Sequence, residues 1–392
     1  MNKTCAIVGV GMTRFGKFPD QTVRMLAETA VKAALDDAGL QPQDVDQVYF
    51  GNAVAGLITG QEMIRGQAAL RFTGLMGKPV FNVENACATG STAFHLAWNA
   101  VRSGQAQVAL VVGAERMTHE DKRVSFGALA RAVDLEEPQQ AHVGSGSGSI
   151  FMDIYAAKTR KYMAETGATA ADIAQIVVKS RKAASLNPYA QFRTETTVEE
   201  VLASRMISDP LTLQMCSSIG DGACAVVLCS PEFLKRMTAA RPVWVGGSVL
   251  VSGTPDGSLA HCAIRASYGV YEQAGVDPLD IHVAEVHDAS APSELMYYES
   301  LGLCRPGEGL GMLRSGATGL NGKISVNPSG GLLSKGHPIG ATGVAQLVEL
   351  AQQLRGEAGP RQRENATLAL AENGGGQVGV DGAAAVATIL HV

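Results

Sequence analysis

The chain carries little charge, few aromatic residues and no paired cysteines. Charged residues make up 18% of its 392 positions and aromatic residues 5%. The net charge of −5 gives no general attraction to nucleic acid or to an anionic membrane. Its seven cysteines are scattered and include no Cys-x-x-Cys pair, which argues against a disulfide framework and against a cysteine-rich zinc site.

Long apolar runs are also missing. No stretch approaches the roughly 18 to 20 apolar residues that span a bilayer. The N-terminus enters a strand-like run without the basic-then-apolar layout of a signal peptide. We therefore expect a cytoplasmic enzyme. What the chain does have is 46% apolar residues and 45 glycines, a composition typical of a large α/β protein with a substantial core.

The first fifty residues predict a strand, a helix and a second strand. Residues 5–10 form a buried apolar run, and apolar side chains then recur at helical spacing between Val23 and Ala34. Gly39 is the expected end of the helix, and residues 45–50 form the next strand-like run. This order predicts a mainly parallel sheet.

Parts of the sequence occur twice. Residues 38–45 align with residues 274–281 at an offset of 236. Ala88-Thr89-Gly90 aligns with Ala341-Thr342-Gly343 at an offset of 253, and a helical stretch follows each copy. Two matches in the same order indicate an internal duplication and a molecule with pseudo-twofold symmetry.

The duplication predicts how the chain divides. We expect an N-terminal half over residues 1–235 and a C-terminal half over residues 241–392, with an inserted loop domain at about residues 116–215. Residues 158–193 of this insertion hold seven basic residues against two acidic ones. Solvated helix faces explain any one of them, but the cluster, which includes Arg181 and Lys182, is also suited to a phosphate-bearing ligand.

The strongest local signal is the segment Asn85-Ala86-Cys87-Ala88-Thr89-Gly90-Ser91. It predicts a strand-to-helix turn that holds Cys87 at the start of a helix from Thr92. The positive end of a helix dipole is expected to lower the pKa of this thiol and favour the nucleophilic thiolate. A lone cysteine is more often structural, but these small, polar neighbours favour a reactive role.

A glycine-rich loop in the second half holds a single histidine. Residues 327–331 and the run from Lys335 to Gly343 enter the helix that duplicates the one after Cys87. The symmetry therefore predicts that His337 lies near Cys87, where its imidazole would take the thiol proton or donate to an oxyanion. The alternative is a histidine that only caps a helix.

Polar residues follow two further predicted strands. His287-Asp288 comes after one, and Glu372-Asn373 with the glycines Gly374, Gly375 and Gly376 comes after another. Strand ends are the usual place for sites in open α/β sheets. In contrast, Gly9-Val10-Gly11 lacks the third glycine of a dinucleotide-binding fingerprint, so we do not expect a nicotinamide cofactor.

Together, the duplicated halves, the turn around Cys87 and the segment from Gly336 to Gly343 resemble the thiolase superfamily. The likeness covers nearly the whole chain. The His287-Asp288 pair, Asp209-Pro210-Leu211 and Asp221-Gly222-Ala223 are more similar to sterol-carrier-protein-type thiolases, which are also described as lipid-transfer proteins, than to biosynthetic ones.

The resemblance implies a five-layered αβαβα fold, a tight homodimer and coenzyme A or acyl-CoA as a substrate, with no permanently bound cofactor and no metal. It implies that Cys87 is acylated, that His337 activates it, and that His287 helps bind the thioester oxygen. Backbone N–H groups of Cys87 and of Gly374–Gly376 would hold the acyl-enzyme oxyanion, and a loop domain containing Arg181 and Lys182 would help bind coenzyme A.

The sequence departs from the thiolase pattern at one point. Thiolases use a second cysteine as acid and base, either in a C-terminal Cys-x-Gly motif or in His-Asp-Cys-Phe. Here these positions read Glu372-Asn373-Gly374 and His287-Asp288-Ala289. A carboxylate such as Glu372 or an imidazole such as His287 would have to move the proton at the carbon next to the thioester.

Three functions fit these residues. The first is a thiolase-type acyltransferase that cleaves or forms a 3-oxoacyl-CoA through an acyl-Cys87 intermediate. The second is a thiolase-like aldolase or a C-acyltransferase that does not need the second cysteine. The third is a non-catalytic homologue that binds acyl-CoA or a partner. The resemblance also implies a small partner protein with an OB-fold and a zinc ribbon.

Overall fold

The computed structural model describes residues 3–136 and 147–392, so residues 137–146 of the expected insertion lie outside the described part. The strands are β1 (Ala6–Met12), β2 (Gln47–Gly51), β3 (Val80–Val83), β4 (Val108–Glu115), β5 (Met206–Ser208), β6 (Leu211–Thr212), β7 (Gly222–Cys229), β8 (Val243–Ser252), β9 (Val283–Glu285), β10 (Ser325–Val326), β11 (Leu368–Gly375) and β12 (Ala384–His391). The helices are α1 (Val23–Ala38), α2 (Ala55–Thr59), α3 (Arg65–Ala69), α4 (Thr89–Arg102), α5 (Lys122–Leu129), α6 (Ile150–Thr166), α7 (Ala170–Ser185), α8 (Val198–Ala203), α9 (Pro231–Leu234), α10 (Cys262–Ala274), α11 (Ala291–Ser300), α12 (Gly309–Arg314) and α13 (Ile339–Arg355).

Ten strands of the described chain form one sheet with the order β10-β9-β11-β12-β8-β1-β7-β4-β2-β3. The order is symmetrical about the β8–β1 seam, where only Ala6–Trp244 and Ile7–Val243 pair. The prediction of a mainly parallel sheet is wrong. In each half the last strand, β7 or β12, returns antiparallel between the first strand and the parallel ones.

The two half-sheets and their helices form five layers. α1 packs on β1 and β7, α10 packs on β8 and β12, and α4 packs against α13 between the half-sheets. Strand alternation divides the core accordingly, since Val227 of β7 faces the α1 layer whereas Val226 faces the α4 and α13 layer. The predicted five-layered α/β fold is confirmed.

Glycines at the ends of α4 and α13 allow the two central helices to touch. A Cβ atom on Gly343 would lie 2.5 Å from the backbone nitrogen of Ser91, and one on Gly90 would lie 2.8 Å from the carbonyl oxygen of Gly340. Larger residues would force the helices apart. The N-terminal ends of both helices, which follow Cys87 and His337, therefore meet at the centre of the molecule.

The Gly9-Val10-Gly11 segment serves the same purpose in the outer layer. A Cβ atom on Gly9 would lie 2.3 Å from the carbonyl oxygen of Ala34, and one on Gly11 would lie 2.4 Å from the backbone nitrogen of Ala34. The two glycines thus let α1 approach β1 closely, which accounts for them without a nucleotide.

The segment between β4 and β7 adds a helical layer beside the C-terminal half. α6 and α7 pack against α11, and α7 also contacts a π-helical turn at Gly331–Lys335. None of the helices in the described residues has the length and apolarity needed to cross a membrane.

Replacing Gly343 by alanine should destabilise the protein by about 1–3 kcal/mol, because the added methyl group overpacks the contact between α4 and α13. Gly311 of α12 is the matched control, since nothing lies within 4 Å of a Cβ atom built on it. Gly311→Ala should be neutral or stabilising by about 0.5–1 kcal/mol. Thermal and urea denaturation of both variants measure this, and equal stabilities would contradict the close contact.

Candidate active site

The nucleophile turn lies between β3 and α4. Residues Ala86–Ala88 form a 3₁₀ turn in which Ala86 adopts a left-handed φ of 49°. The Thr89 hydroxyl accepts the backbone N–H of Asn85 at 2.8 Å and donates to the carbonyl of Ala86 at 2.7 Å. These bonds start α4 at Thr89, earlier than the predicted Thr92, and hold Cys87 directly before the helix.

The loop that carries His337 is held by buried charged residues. The Lys335 Nζ lies 3.2 Å from the Glu285 Oε2, and both side chains are almost fully buried. Asp288 Oδ1 accepts the backbone N–H of Leu332 at 2.7 Å, and burial raises the pKa of Asp288 well above its ordinary value. The loop therefore enters α13 with His337 in a fixed position.

The Thr342 hydroxyl holds the ring of His337. Its Oγ1 lies 2.8 Å from the His337 Nδ1 and 2.9 Å from the carbonyl oxygen of Pro338. In the tautomer that carries its proton on Nδ1, the ring donates to Thr342 and Nε2 keeps a free lone pair, which is the state required of a general base.

His287 lies beside His337, two residues after the end of β9. The two rings meet edge to face with their centroids 5.3 Å apart. The backbone N–H of His287 donates to Glu372 Oε2 at 3.0 Å. Its Nδ1 accepts from Asn373 Nδ2 at 2.9 Å, which leaves the proton of His287 on Nε2.

The structure brings three of the predicted residues together. The sulfur of Cys87 and one ring nitrogen from each of His287 and His337 all lie within 4.8 Å of one another. A thiol with an adjacent imidazole base is the arrangement of a covalent catalyst. A thiol and two imidazoles are also zinc ligands by type, so the same three atoms are the ones at which a soft metal ion would bind.

The pKa of Cys87 differs from the sequence-based expectation. Burial, with a smaller contribution from the negative charge of Glu115, raises the pKa of the Cys87 thiol to about 12. Hydrogen bonds from the backbone N–H groups of Gly376 and of Cys87 itself lower it only in part. The expected lowering by the helix end is therefore wrong, because desolvation of a thiolate outweighs two N–H contacts.

Both histidines are neutral at physiological pH. Burial lowers the pKa of His287 to about 4. Burial also lowers the pKa of His337 well below its ordinary value, and the neighbouring His287 and Lys335 lower it further. The resting site is thus a neutral thiol beside a neutral imidazole.

Glu372 and Asn373 point to opposite faces of β11. Glu372 is fully buried, and its Oε1 atom has no hydrogen-bond partner within the described part of the chain. Burial raises the pKa of Glu372 to about 7, but the residue does not line the cavity around Cys87. Asn373, on the other face, bonds His287 and lies 2.8 Å from the Ser91 Oγ.

The nucleophile opens into a cavity of about 880 Å³. Its wall includes Cys87, His287 and His337, together with Ala289 at the position of the missing cysteine. The predicted glycines Gly374, Gly375 and Gly376 also line it. The Gly376 N–H points at the thiol and is thus available to a carbonyl oxygen attached to that sulfur.

Arg181 and Lys182 do not lie on the wall of this cavity. The Arg181 guanidinium stacks on the Phe192 ring at 4.4 Å, and Lys182 is exposed on α7. The basic residues that line the cavity come from distant parts of the chain: Lys17, Lys122, Arg131, Lys158 and Arg205. A cluster in sequence was therefore a poor guide to a cluster in space.

The sequence analysis gave no role to three contributing residues. Asn373 was next to a predicted residue, and strand alternation would have put one of the two on the side of the site. Thr342 was seen only as part of the duplication. Glu115 ends β4 fully buried and accepts the backbone N–H groups of Ala53 at 2.9 Å and Gly340 at 3.2 Å; no motif marks it.

Comparisons with known proteins match both halves. A family model described as "Thiolase, N-terminal domain" matches residues 5–232, and one described as "Thiolase C-terminal domain-like" matches residues 250–390. Among solved structures, the "Ltp2-ChsH2(DUF35) aldolase" is 26% identical with a TM-score of 0.78, and the match covers 100% of this chain and 98% of that one.

Three curated relatives extend the match. The benzoylsuccinyl-CoA thiolase subunit BbsB of Thauera aromatica is 40% identical over 90% of this chain and 89% of its own. An acetyl-CoA acetyltransferase of Methanothermobacter thermautotrophicus is 39% identical over 95% and 97%. Sterol carrier protein 2 of Oryctolagus cuniculus is 36% identical over 97% and 70%.

The predicted likeness to the sterol-carrier-protein branch is therefore confirmed. With family models over both halves and relatives of about 40% identity over most of its length, this chain belongs to the thiolase family of acyltransferases.

Proposed function

We propose that the protein is a coenzyme-A-dependent acyltransferase that cleaves or forms a 3-oxoacyl-CoA through an acyl-Cys87 intermediate. The observation that carries the proposal is the meeting of Cys87, His287 and His337 within 4.8 Å at the wall of a large cavity. A covalent intermediate divides a difficult carbon–carbon cleavage into two acyl transfers.

In the first transfer, His337 Nε2 takes the thiol proton while the Cys87 sulfur attacks the 3-oxo carbon. The C2–C3 bond of the substrate then breaks, and the acyl group remains on sulfur. The electron pair of the broken bond goes to C2, which takes the proton from His337. For a substrate without a branch at C2, the products are acyl-Cys87 and acetyl-CoA, and the shortened acyl-CoA forms only in the second transfer.

In the second transfer, free coenzyme A resolves the intermediate. His337 takes the proton of the incoming thiol, whose sulfur attacks the acyl carbon of acyl-Cys87. The Cys87 thiolate leaves and recovers the proton from His337. One imidazole thus moves the proton in both transfers, which offers a route that does not need the missing second cysteine.

Each transfer passes through an oxyanion, and the site has donors for it. The backbone N–H groups of Cys87 and Gly376 are directed at the sulfur and would hold the oxygen of an acyl group bound there. His287 carries its proton on Nε2 and would donate to the thioester oxygen of the substrate. Donors fixed by the fold stabilise such charges at little reorganisation cost.

Coenzyme A would act as a substrate and not as a permanently bound cofactor. Its phosphates need cations, and Lys17, Lys122 and Arg131 line the cavity from the N-terminal half. These residues replace Arg181 and Lys182 as the candidates for phosphate binding.

We also propose a homodimer in the cytoplasm, with a DUF35-type protein as a further partner. β3 is an edge strand, and large apolar side chains are exposed on and near it, namely Met63, Ile64, Phe72, Met76 and Phe81. An unprotected edge with an apolar surface favours pairing with a second chain. The partner is suggested by the related structure, the Ltp2-ChsH2(DUF35) aldolase, whose name includes a DUF35 protein.

Incubation with a 3-oxoacyl-CoA in the absence of free coenzyme A should leave an acyl group on Cys87, detected as a mass increase of the intact protein. Cys87→Ala should lose both the adduct and turnover, whereas Cys216→Ala is the control because Cys216 lines the same cavity without a predicted role. Full activity of Cys87→Ala would end the proposal. Dependence of product formation on free coenzyme A separates thiolysis from aldol cleavage.

Alkylation of Cys87 by iodoacetamide should accelerate steadily with pH. The pKa of the thiol is raised to about 12. At pH values below this pKa, each rise of one pH unit increases the thiolate fraction about tenfold. Peptide mass spectrometry at pH 6.5 to 9.5 measures the rate at this residue alone. A rate that is already constant above pH 7 would mean a resting thiolate and would contradict the neutral pair.

Replacing Glu372 by glutamine should change kcat by no more than about threefold, because the amide oxygen can still accept the N–H of His287. Glu372→Ala removes that acceptor and should lower kcat by about tenfold or more. The measurement is kcat as a function of pH for both variants. If Glu372→Gln lost activity a hundredfold together with a titration near pH 7, the carboxyl would be the acid and base.

A further inference from the structure

Two clusters of side chains that can ligate a metal ion include residues of the cavity wall. One is formed by Cys87, His287 and His337, and the other by His261, Cys262 and Asp381. In each cluster the potential ligand atoms lie within 4.8 Å of one another. A thiol with imidazole groups is a ligand set that suits Zn²⁺. The surroundings of the ligand atoms decide which cluster can accept an ion.

The second cluster is already bonded within the protein. Asp381 Oδ1 accepts the backbone N–H groups of Cys262 at 2.9 Å and Gly382 at 2.7 Å. His261 caps the N-terminus of α10 through a ring nitrogen. The Arg265 guanidinium lies 3.6 Å from Asp381 Oδ2 and would repel a cation. This cluster therefore serves as a helix cap and is a poor metal site.

The first cluster leaves a nitrogen of each ring available. Thr342 Oγ1 lies 2.8 Å from His337 Nδ1, and Asn373 Nδ2 lies 2.9 Å from His287 Nδ1. In the part of the chain that the structure describes, these contacts engage Nδ1 of each ring and not Nε2. Both rings and the Cys87 side chain line the cavity, so an ion and a water molecule can reach them.

The ligand spacing approaches that of a tetrahedral site. Zn–S bonds of about 2.3 Å and Zn–N bonds of about 2.0–2.1 Å place the ligand atoms roughly 3.3–3.6 Å apart. The sulfur of Cys87 and the two ring nitrogens lie within 4.8 Å of one another, so each pair has to close by no more than about 1.5 Å. The two rings already meet edge to face with their centroids 5.3 Å apart.

His287 must give up its Nε2 proton to bind a metal ion, and its neighbours support the other tautomer. With the proton on Nδ1, the ring donates to the Asn373 side-chain oxygen once the amide turns over. The Ser91 hydroxyl lies 2.8 Å from Asn373 and 2.9 Å from the carbonyl oxygen of Ala88. It then accepts from the amide and donates to Ala88. Zinc-binding histidines are commonly held in this way through their other nitrogen.

The charges around the first cluster also suit a cation. Glu115, whose carboxylate accepts the backbone N–H of Gly340 at 3.2 Å, adds negative charge near Cys87. Lys335 lies two residues before His337, but its Nζ is paired with Glu285 Oε2 at 3.2 Å. The positive charge of this lysine is therefore balanced within the protein.

We propose that Cys87, His287 and His337 bind one Zn²⁺ ion per chain, with a water molecule from the cavity as the fourth ligand. The thiol proton of Cys87 leaves to the solvent when the Zn–S bond forms. The ion occupies the sulfur and the imidazole that the proposed acyl transfer needs, so it is a reversible inhibitor of that reaction and not a cofactor for it.

Titration of the purified protein with Zn²⁺ in competition with a chromophoric chelator measures the stoichiometry and the Kd. We expect one ion per chain. Cys87→Ser and His287→Asn should each raise the Kd by about 100-fold or more, because each removes one of three protein ligands. Cys216→Ala and His261→Ala are the controls, from the other cavity thiol and the second cluster, and both should leave the Kd unchanged.

Two further measurements report on Cys87 directly. Binding of Co²⁺ in place of Zn²⁺ should give a cobalt–thiolate absorption band that is absent in Cys87→Ser. Zn²⁺ should protect Cys87 from iodoacetamide, as followed by peptide mass spectrometry, and addition of EDTA should restore the alkylation rate. Melting temperatures equal to that of the wild type show that each variant folds.

The absence of saturable Zn²⁺ binding would overturn this inference. So would a Kd that Cys87→Ser leaves unchanged, a Kd that only His261→Ala weakens, or alkylation of Cys87 at an unchanged rate in the presence of Zn²⁺. None of these measurements needs turnover. Failure of the proposed acyl transfer would therefore leave the zinc site standing, and failure to bind Zn²⁺ would leave the acyl transfer standing.

Discussion

The site depends on the contact between the N-terminal ends of α4 and α13. Gly90, Gly340 and Gly343 let the two helices touch where neither tolerates a Cβ atom, and the residues just before the helices are Cys87 and His337. Because each helix comes from one half of the duplicated chain, Cys87 and His337 meet only when both halves are packed. The proposed nucleophile and its proposed base are thus brought together by tertiary packing.

Burial at this contact sets the protonation state of the site. A thiol whose pKa is raised to about 12 beside an imidazole whose pKa is lowered cannot form a resting ion pair. In the proposed reaction, charge appears only when a substrate carbonyl accepts the sulfur and the oxyanion meets the N–H groups of Cys87 and Gly376. In such a site the fixed N–H donors stabilise the transition state more than the resting state.

The sequence predicted the fold and the central pair because both leave local marks. The duplication predicted that Cys87 and His337 lie close together. The glycines near both residues let α4 and α13 approach each other. The sequence-based predictions failed where the three-dimensional surroundings of a residue decide its role. Glu372 was chosen although alternation along β11 turns Asn373 towards His287. The sign of the Cys87 pKa shift was wrong because a sequence shows the helix end but not the desolvation. Arg181 and Lys182 cluster in sequence, yet the basic residues of the cavity are scattered from Lys17 to Arg205.

The seam between β1 and β8 has a mechanical consequence. Two residue pairs, Ala6–Trp244 and Ile7–Val243, are the register that joins the half-sheets there, whereas β8 and β12 share a ladder along nearly their full length. Within the sheet, the two halves are therefore joined by few backbone hydrogen bonds. The spacing between the Cys87 sulfur and the His337 imidazole depends instead on the packing of α4 against α13 and on polar contacts such as that of the Gly340 N–H with Glu115, so substitutions in the central helix layer are expected to change it even when they lie far from the substrate.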